Sequence, residues 1–343
     1  MKIDFVLPWV NPMDKEWQKS KEFYSKQVNK DIEGSSARYR DMETLKYVLR
    51  SIEQNCPWYN KIYLITEGHY PEWLDLESDK LVLVSHSKLY FDKSHLPTFN
   101  SNSIEMNLLN IPNLSDYFVY LNDDLFIMKQ TDISRFFVDG KVVDFLSHGW
   151  FARNELFDKI KPIGVWGYSV RKTLNLINKE LGVGHLEYKH LFDKSYSIKE
   201  KISNFLMKYV YKKALRISHW HYAQPYTKKT LEKVYERFSS QMLETSTHKF
   251  RTKDDIMPYI YRYWHLLSGD FYPKNCNDAY KNISPVSLES LNDIISGIES
   301  DENIRFTCFN DNLKLSEDEY NKIKERLQEY LEEKFPQKAS FEL

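Results

Sequence analysis

Cysteine is scarce: Cys56, Cys276 and Cys308 are the only three in 343 residues, at wide and irregular intervals. An odd count at such spacing argues against a disulfide framework, has no zinc-site pattern, and suits a reducing compartment. No apolar run approaches the roughly 20 residues that a membrane-spanning helix needs. The opening Met1-Lys2-Ile3-Asp4-Phe5 introduces an acid at once, with Pro8 soon after, which is the pattern of neither a signal peptide nor a membrane helix. A cytoplasmic protein is expected. Charge of one sign is missing too: the formal net charge is -1, so no global basic field marks a nucleic-acid binder. Internal repeats and low-complexity tracts are absent. The length suits one large domain or two modest ones.

What the chain does have is Asn122-Asp123-Asp124 directly after the apolar run Tyr117-Phe118-Val119-Tyr120-Leu121. A buried strand ending in two carboxylates would leave costly unpaired charge unless something meets them. In an open α/β sheet, ligands sit beyond the carboxyl ends of the strands, and carboxylates there commonly hold a divalent cation against nucleotide phosphates. A plain turn would use the same residues. Up to about residue 128, strand-like runs (Ile3 to Leu7, Lys61 to Thr66, Lys80 to Val84, Tyr117 to Leu121) alternate with helical spacing at Leu45, Val48, Leu49 and Ile52 and over Asn102 to Asn110. That alternation predicts an α/β fold with a largely parallel sheet and helices on both faces. From about residue 150 helical patterns dominate: Tyr168 to Leu181, Thr227 to Phe238, the aromatic-rich Asp254 to Leu267, and Ser316 to Phe335 behind a capping box. The expected division is 1–150 and 151–343. Residues 186–216 add a basic amphipathic stretch in which eight Lys or Arg alternate with apolar side chains. Such a stretch suits a solvated helix face, or contact with an anionic membrane or polyanion.

Four separated segments carry a family resemblance. They are Ile3 to Asn11 followed by Asp14; Arg38-Tyr39-Arg40-Asp41 running through Leu49 to Glu53, Cys56-Pro57-Trp58 and Leu96 to Glu105 to the Asn-Asp-Asp; His221 through Pro225 to Phe250-Arg251; and Cys308 to Asp311 with Ser340-Phe341-Glu342. In this order they resemble the signature regions of the Stealth family of sugar-1-phosphate transferases. The chain differs at Leu7-Pro8, where the family usually has Tyr-Thr. It also has Asn11 where many bacterial members have Asp, and Asn312 where a second acid is usual.

The resemblance implies a Rossmann-like, glycosyltransferase A-like sheet and transfer of a hexose-1-phosphate from a UDP-sugar to a polysaccharide hydroxyl, with UMP leaving. The acceptor would be a surface or capsular polysaccharide or a lipid-linked glycan, met at the inner face of the membrane through peripheral contact. Asp123, Asp124 and Asp311 would hold Mg²⁺ or Mn²⁺. Arg251 and Arg171 would clamp the diphosphate, as guanidinium forks match phosphate oxygens. His221 would be base or nucleophile. Trp9, Asn11 and Asp14 would meet the nucleotide beyond the first strand. Arg40 and Asp41 would reach substrate, with Asp41 also suited to cap the next helix. Asn100, Asn102 and Glu105 would meet phosphate or sugar at a helix start. An ordinary glycosyltransferase releasing UDP, or a non-catalytic glycan-binding protein, would share many of these features.

Overall fold

The computed structural model describes residues 1–27, 40–149, 164–219, 222–280, 284–312 and 314–343. The described strands are β1 (Ile3–Pro8), β2 (Ile62–Thr66), β3 (Leu81–Ser85), β4 (Tyr117–Tyr120), β5 (Leu125–Ile127), β6 (Phe137–Val138), β7 (Lys141–Asp144), β8 (Gln224–Thr227), β9 (Phe271–Pro273) and β10 (Phe306–Cys308). The main sheet has the order β3-β2-β1-β4-β8. The first four run parallel and β8 is antiparallel to β4. Every residue of β1 from Ile3 to Leu7, and all of β2, is buried. Unbroken burial means that both faces are covered, which is why these strands read as continuous apolar runs. Asp4 is the exception within β1. Its buried carboxylate accepts from Asn60 Nδ2 and from the Ser115 N–H, each at 2.7 Å.

The order β3-β2-β1-β4 reverses direction between β1 and β4, and a crevice opens there beyond their carboxyl ends. Trp9 to Asn11 leave β1 on that side, and Asn122 to Asp124 follow β4. Pro225 is tolerated in β8 because the strand lies at the sheet edge. Tyr120 pairs with Gln224, so the chain enters β8 at the same end. The fourth sequence region returns there as well: β10 pairs antiparallel with β5, and the Phe309 N–H donates to the Asp124 carbonyl at 3.0 Å.

The C-terminal part is mainly helical, as expected, with helices Val165–Glu180, Lys228–Thr247, Tyr259–Ser268, Leu288–Ser300 and Glu317–Lys334. Ser316 and Glu319 form the capping box expected before the last of these. Other details differ from the sequence reading. The helix expected over 102–110 stops at Glu105 and resumes as a 3-10 turn, Leu108–Asn110. The helix expected to end at Phe238 kinks there and runs on to Thr247. Asp41 does not cap helix Leu45–Asn55; Thr44 holds that position. The boundary expected at residue 150 lies outside the described residues. Arg50 and Glu342, both in the family segments, meet in a buried fork with Nε–Oε1 2.7 Å and Nη2–Oε2 2.8 Å, which fastens the chain end to helix Leu45–Asn55.

Candidate active site

Asp123 and Asp124 occupy a turn whose backbone is pinned from two sides. The Thr44 hydroxyl donates to the Asp123 carbonyl at 2.8 Å, so this cap residue makes no side-chain bond to its own helix. Phe309 holds the Asp124 carbonyl from the other side. The turn therefore presents its carboxylates from a rigid base. Burial pushes the Asp123 carboxyl well above the ordinary range, and the negative charges of Asp124 and Asp41 push it further. Asp41 is raised too, chiefly by burial. The Trp9 indole N–H lies close enough to Asp41 to counter part of that rise, without meeting hydrogen-bond geometry. The buried Cys308 thiol lies beside the Asp124 side chain, and burial raises its pKa far beyond a reactive value.

Glu105 lies on the other side of β4's end. Burial raises its carboxyl to about 8, against the lowering influence of Tyr120 and Arg251. Tyr120 feels both Glu105 and Asp123, so this last strand residue links the two groups of acids. Arg251 Nη2 donates to Ser101 Oγ at 2.5 Å. The segment bearing Arg251 is held by buried Asp255. Asp255 Oδ1 faces His248 Nδ1 at 2.7 Å and accepts from Thr252 Oγ1 at 2.9 Å. Asp255 Oδ2 accepts from Asn100 Nδ2 at 2.9 Å and Asn102 Nδ2 at 3.0 Å.

Asn100 and Asn102, expected at phosphate or sugar, are buried and give their amides to Asp255, which fixes the approach of Ser101 to Arg251. Asp14, expected near the nucleotide, caps helix Lys15–Ser25 and accepts from the Trp17 N–H at 2.7 Å. Asp311, expected among the metal ligands, pairs with Arg40. Both its oxygens are taken by Arg40, Nε–Oδ2 2.8 Å and Nη2–Oδ1 2.9 Å, and Arg40 also lies over the Tyr320 ring at 4.3 Å.

Trp9, Asn11, Arg40 and Asp41 line a cavity of about 1340 Å³ beyond β1, together with Tyr47 and Trp73. The Asn11 N–H donates to His69 Nε2 at 2.9 Å, and Asn11 Oδ1 accepts from the Met13 N–H at 2.9 Å. Arg171 lies over the Tyr168 ring at 5.1 Å, on helix Val165–Glu180. Ser169 of that helix donates to the Thr252 carbonyl at 3.1 Å, so the helix abuts the Arg251 segment. His221 lies outside the described residues. Its neighbour His219 has Nε2 at 2.6 Å from the Tyr263 hydroxyl, and its ring packs on Tyr259.

Among the described residues no group of three or more His, Cys, Asp or Glu side chains is arranged as a metal site. The acids at the crevice nevertheless fit a divalent cation in their chemistry. Asp123 is surrounded by like charge from Asp41 and Asp124, and among the described residues the one influence lowering its pKa is its own backbone. Hard carboxylate oxygens of this kind hold Mg²⁺ or Mn²⁺ when substrate phosphates supply the remaining ligands.

Sequence reasoning missed a second buried network. Arg262 donates to Asp144 through Nε at 2.8 Å and Nη2 at 2.9 Å, His265 Nε2 lies at 2.8 Å, and the Tyr222 hydroxyl at 3.1 Å. It ties β7 to helix Tyr259–Ser268 and to the residues leading into β8. Asp144 lies 78 to 121 residues from these partners, so the network left no local signal.

Models of four regions match the chain: Stealth protein conserved region 1 over residues 1–28, region 2 over 38–144, region 3 over 220–267 and region 4 over 296–343. The capsular polysaccharide phosphotransferase WcwK of Streptococcus pneumoniae is 36% identical, across 99% of this chain and 98% of its own. The exopolysaccharide phosphotransferase cps2G of Lactiplantibacillus plantarum is 29% identical over 99% of this chain and 96% of its own. The receptor polysaccharide phosphotransferase WefC of Streptococcus gordonii is 29% identical over 100% and 99%. Among solved structures, the galactosyltransferase LgtC aligns with 96% of the chain and 95% of its own at 10% identity and a TM-score of 0.35, too distant to add to the fold described above.

Proposed function

The chain belongs to the Stealth family, and on that footing we propose that it transfers a hexose-1-phosphate from a UDP-sugar to a hydroxyl of a surface or capsular polysaccharide. The observation that supports this most is the group of Asp41, Asp123 and Asp124 at the crevice between β1 and β4, joined through Tyr120 to Glu105 and Arg251. An N-acetylhexosamine-1-phosphate donor would fit the same chemistry.

The acceptor oxygen attacks the phosphorus that bears the sugar. The bond from that phosphorus to the bridging oxygen breaks, UMP leaves with the electron pair, and a phosphodiester forms. The chain must therefore place the diphosphate, hold its charge and take the hydroxyl proton. Trp9 and Asn11 would receive the nucleotide in the cavity beyond β1. Asp123 and Asp124 would hold Mg²⁺ or Mn²⁺, which supplies countercharge to the diphosphate. Arg251 would face the phosphoryl oxygens, with Arg171 on the neighbouring helix as a second guanidinium. Glu105, with its raised pKa, is largely protonated at neutral pH and would donate a hydrogen bond to a substrate oxygen. His221 would take the acceptor proton. The glycan would be met at the inner face of the membrane through peripheral contact; among the described residues no helix is long and apolar enough to cross one.

The test is a panel of UDP-sugars with polysaccharide acceptor and Mg²⁺ or Mn²⁺. Release of UMP that stops in EDTA is expected. Release of UDP would replace this reading with an ordinary glycosyltransferase, and full turnover in EDTA would remove the metal from it.

A further inference from the structure

Helix Ile198–Phe205 continues into a π-helical turn, Leu206–Tyr211, and the pair is inside out. The residues it buries in the protein include Ser203 and Asn204, with Met207 beside them. Asn204 Nδ2 donates to the carbonyls of Leu146 at 2.8 Å and Leu191 at 3.1 Å, so its inward polar group is satisfied. The side that faces out is apolar: Ile198 is 78% exposed, Ile202 46%, Phe205 47%, Tyr209 52% and Val210 56%. Ile198, Ile202, Phe205 and Tyr209 follow the spacing that lines up one helix face. The Phe205 and Tyr209 rings lie 4.9 Å apart along it. Exposing an apolar row of this kind is unfavourable in water and usually marks a surface that meets something.

Lys199, Lys212 and Lys213 are exposed beside this row and Lys201 is half-buried. None of the four has an ion-pair partner among the described residues. The nearby acids are engaged. Glu187 pairs with Lys189 at 2.9 Å, and Glu200 accepts from the Ser197 N–H at 2.8 Å and from Asn275 Nδ2 at 2.9 Å.

We propose that this face docks on an anionic phospholipid bilayer, with the apolar row at the headgroup–acyl boundary and the lysines on lipid phosphates. A soluble polyanion would engage the lysines but leave Ile198, Ile202 and Phe205 in water. A second copy of this chain would cover the apolar row but bring like charges together. A charged lipid surface satisfies both. The inference specifies the peripheral contact in the proposed function, and it does not depend on the reaction chemistry.

The experiment is co-sedimentation of the whole chain with vesicles of phosphatidylglycerol and phosphatidylcholine, with no donor present, so failure of the reaction scheme leaves its result intact. Binding is expected to fall about fivefold for each of Lys199→Gln, Lys201→Gln and Lys212→Gln. It should fall tenfold or more in the pair Ile202→Ser with Phe205→Ser, and weaken on pure phosphatidylcholine. Phe205→Trp provides a check that keeps the apolar row intact: its added fluorescence should shift to the blue on the vesicles and be quenched by brominated lipid. Turnover on a short soluble acceptor should be unchanged in all variants. The proposal is overturned if wild type ignores the vesicles, or if the added emission of the Phe205→Trp variant does not change on them. It is overturned equally if a soluble anionic polymer binds as tightly with no effect of the serine pair, or if the serine pair abolishes a dimer instead.

Discussion

Glu105 shows most clearly what burial does to a single group here. Its carboxyl titrates at about 8 in the folded protein, against an ordinary value of 4.5. Between those values the folded state keeps a proton that the unfolded chain has released, so stability is fullest below the lower value and declines as pH rises towards the upper one. Glu105→Gln removes the titration while keeping the shape. The melting temperature of wild type relative to Glu105→Gln should therefore fall steadily from pH 5 to pH 8; a constant difference would mean that the carboxyl titrates normally. At this scale the sequence marks the acids after β4, Glu105 and Arg251 as chemistry-bearing residues in recognisable segments, and the structure puts Glu105 and Arg251 near one another and Asp123 beside Asp124 and Asp41. What the sequence could not carry was their partners. Asn100 and Asn102 meet Asp255, some 150 residues later, only in three dimensions. Asp14 carries a capping pattern that its place after the first strand overshadowed.

Elements were legible where burial wrote a pattern over several residues. β1, β2, β3 and β4 fall within a residue or two of the apolar runs that announced them. β5, β8 and β10, of three or four residues each, are too short to show a period, and β8 contains a proline that argues against a central strand. Those short strands carry the later chain back to the crevice. The Arg40–Asp311 fork belongs to this level, since it spans 271 residues of sequence and joins the segment before helix Leu45–Asn55 to the loop after β10. Both side chains are largely covered. A double-mutant cycle of Arg40→Gln and Asp311→Asn should show a coupling of about 1–3 kcal/mol in unfolding free energy. The Mg²⁺ dependence of donor binding should be retained in Asp311→Asn. Additive effects on stability with loss of that dependence would return Asp311 to the metal.

For the whole molecule, the order of strands decides where chemistry can happen. The reversal between β1 and β4 opens one crevice, and the cavity beyond β1, the acids after β4 and the entry to β8 all border it. The sequence announced a largely parallel sheet followed by helices, and that is the architecture. It also announced a basic amphipathic stretch at 186–216, but not which way it faces. Apolar residues at helical spacing ordinarily point inward; here the polar Ser203 and Asn204 take the inside because backbone carbonyls await Asn204 there. The central claim concerns which bond breaks, and the fate of the sugar-bearing phosphate decides it. A UDP-sugar labelled with ³²P in that phosphate should be incubated with the protein, polysaccharide acceptor and Mg²⁺, and the polymer then separated from nucleotide. The account predicts that the label enters the polymer as a phosphodiester while unlabelled UMP accumulates. Label recovered in UDP, with sugar but no phosphate in the polymer, would contradict it.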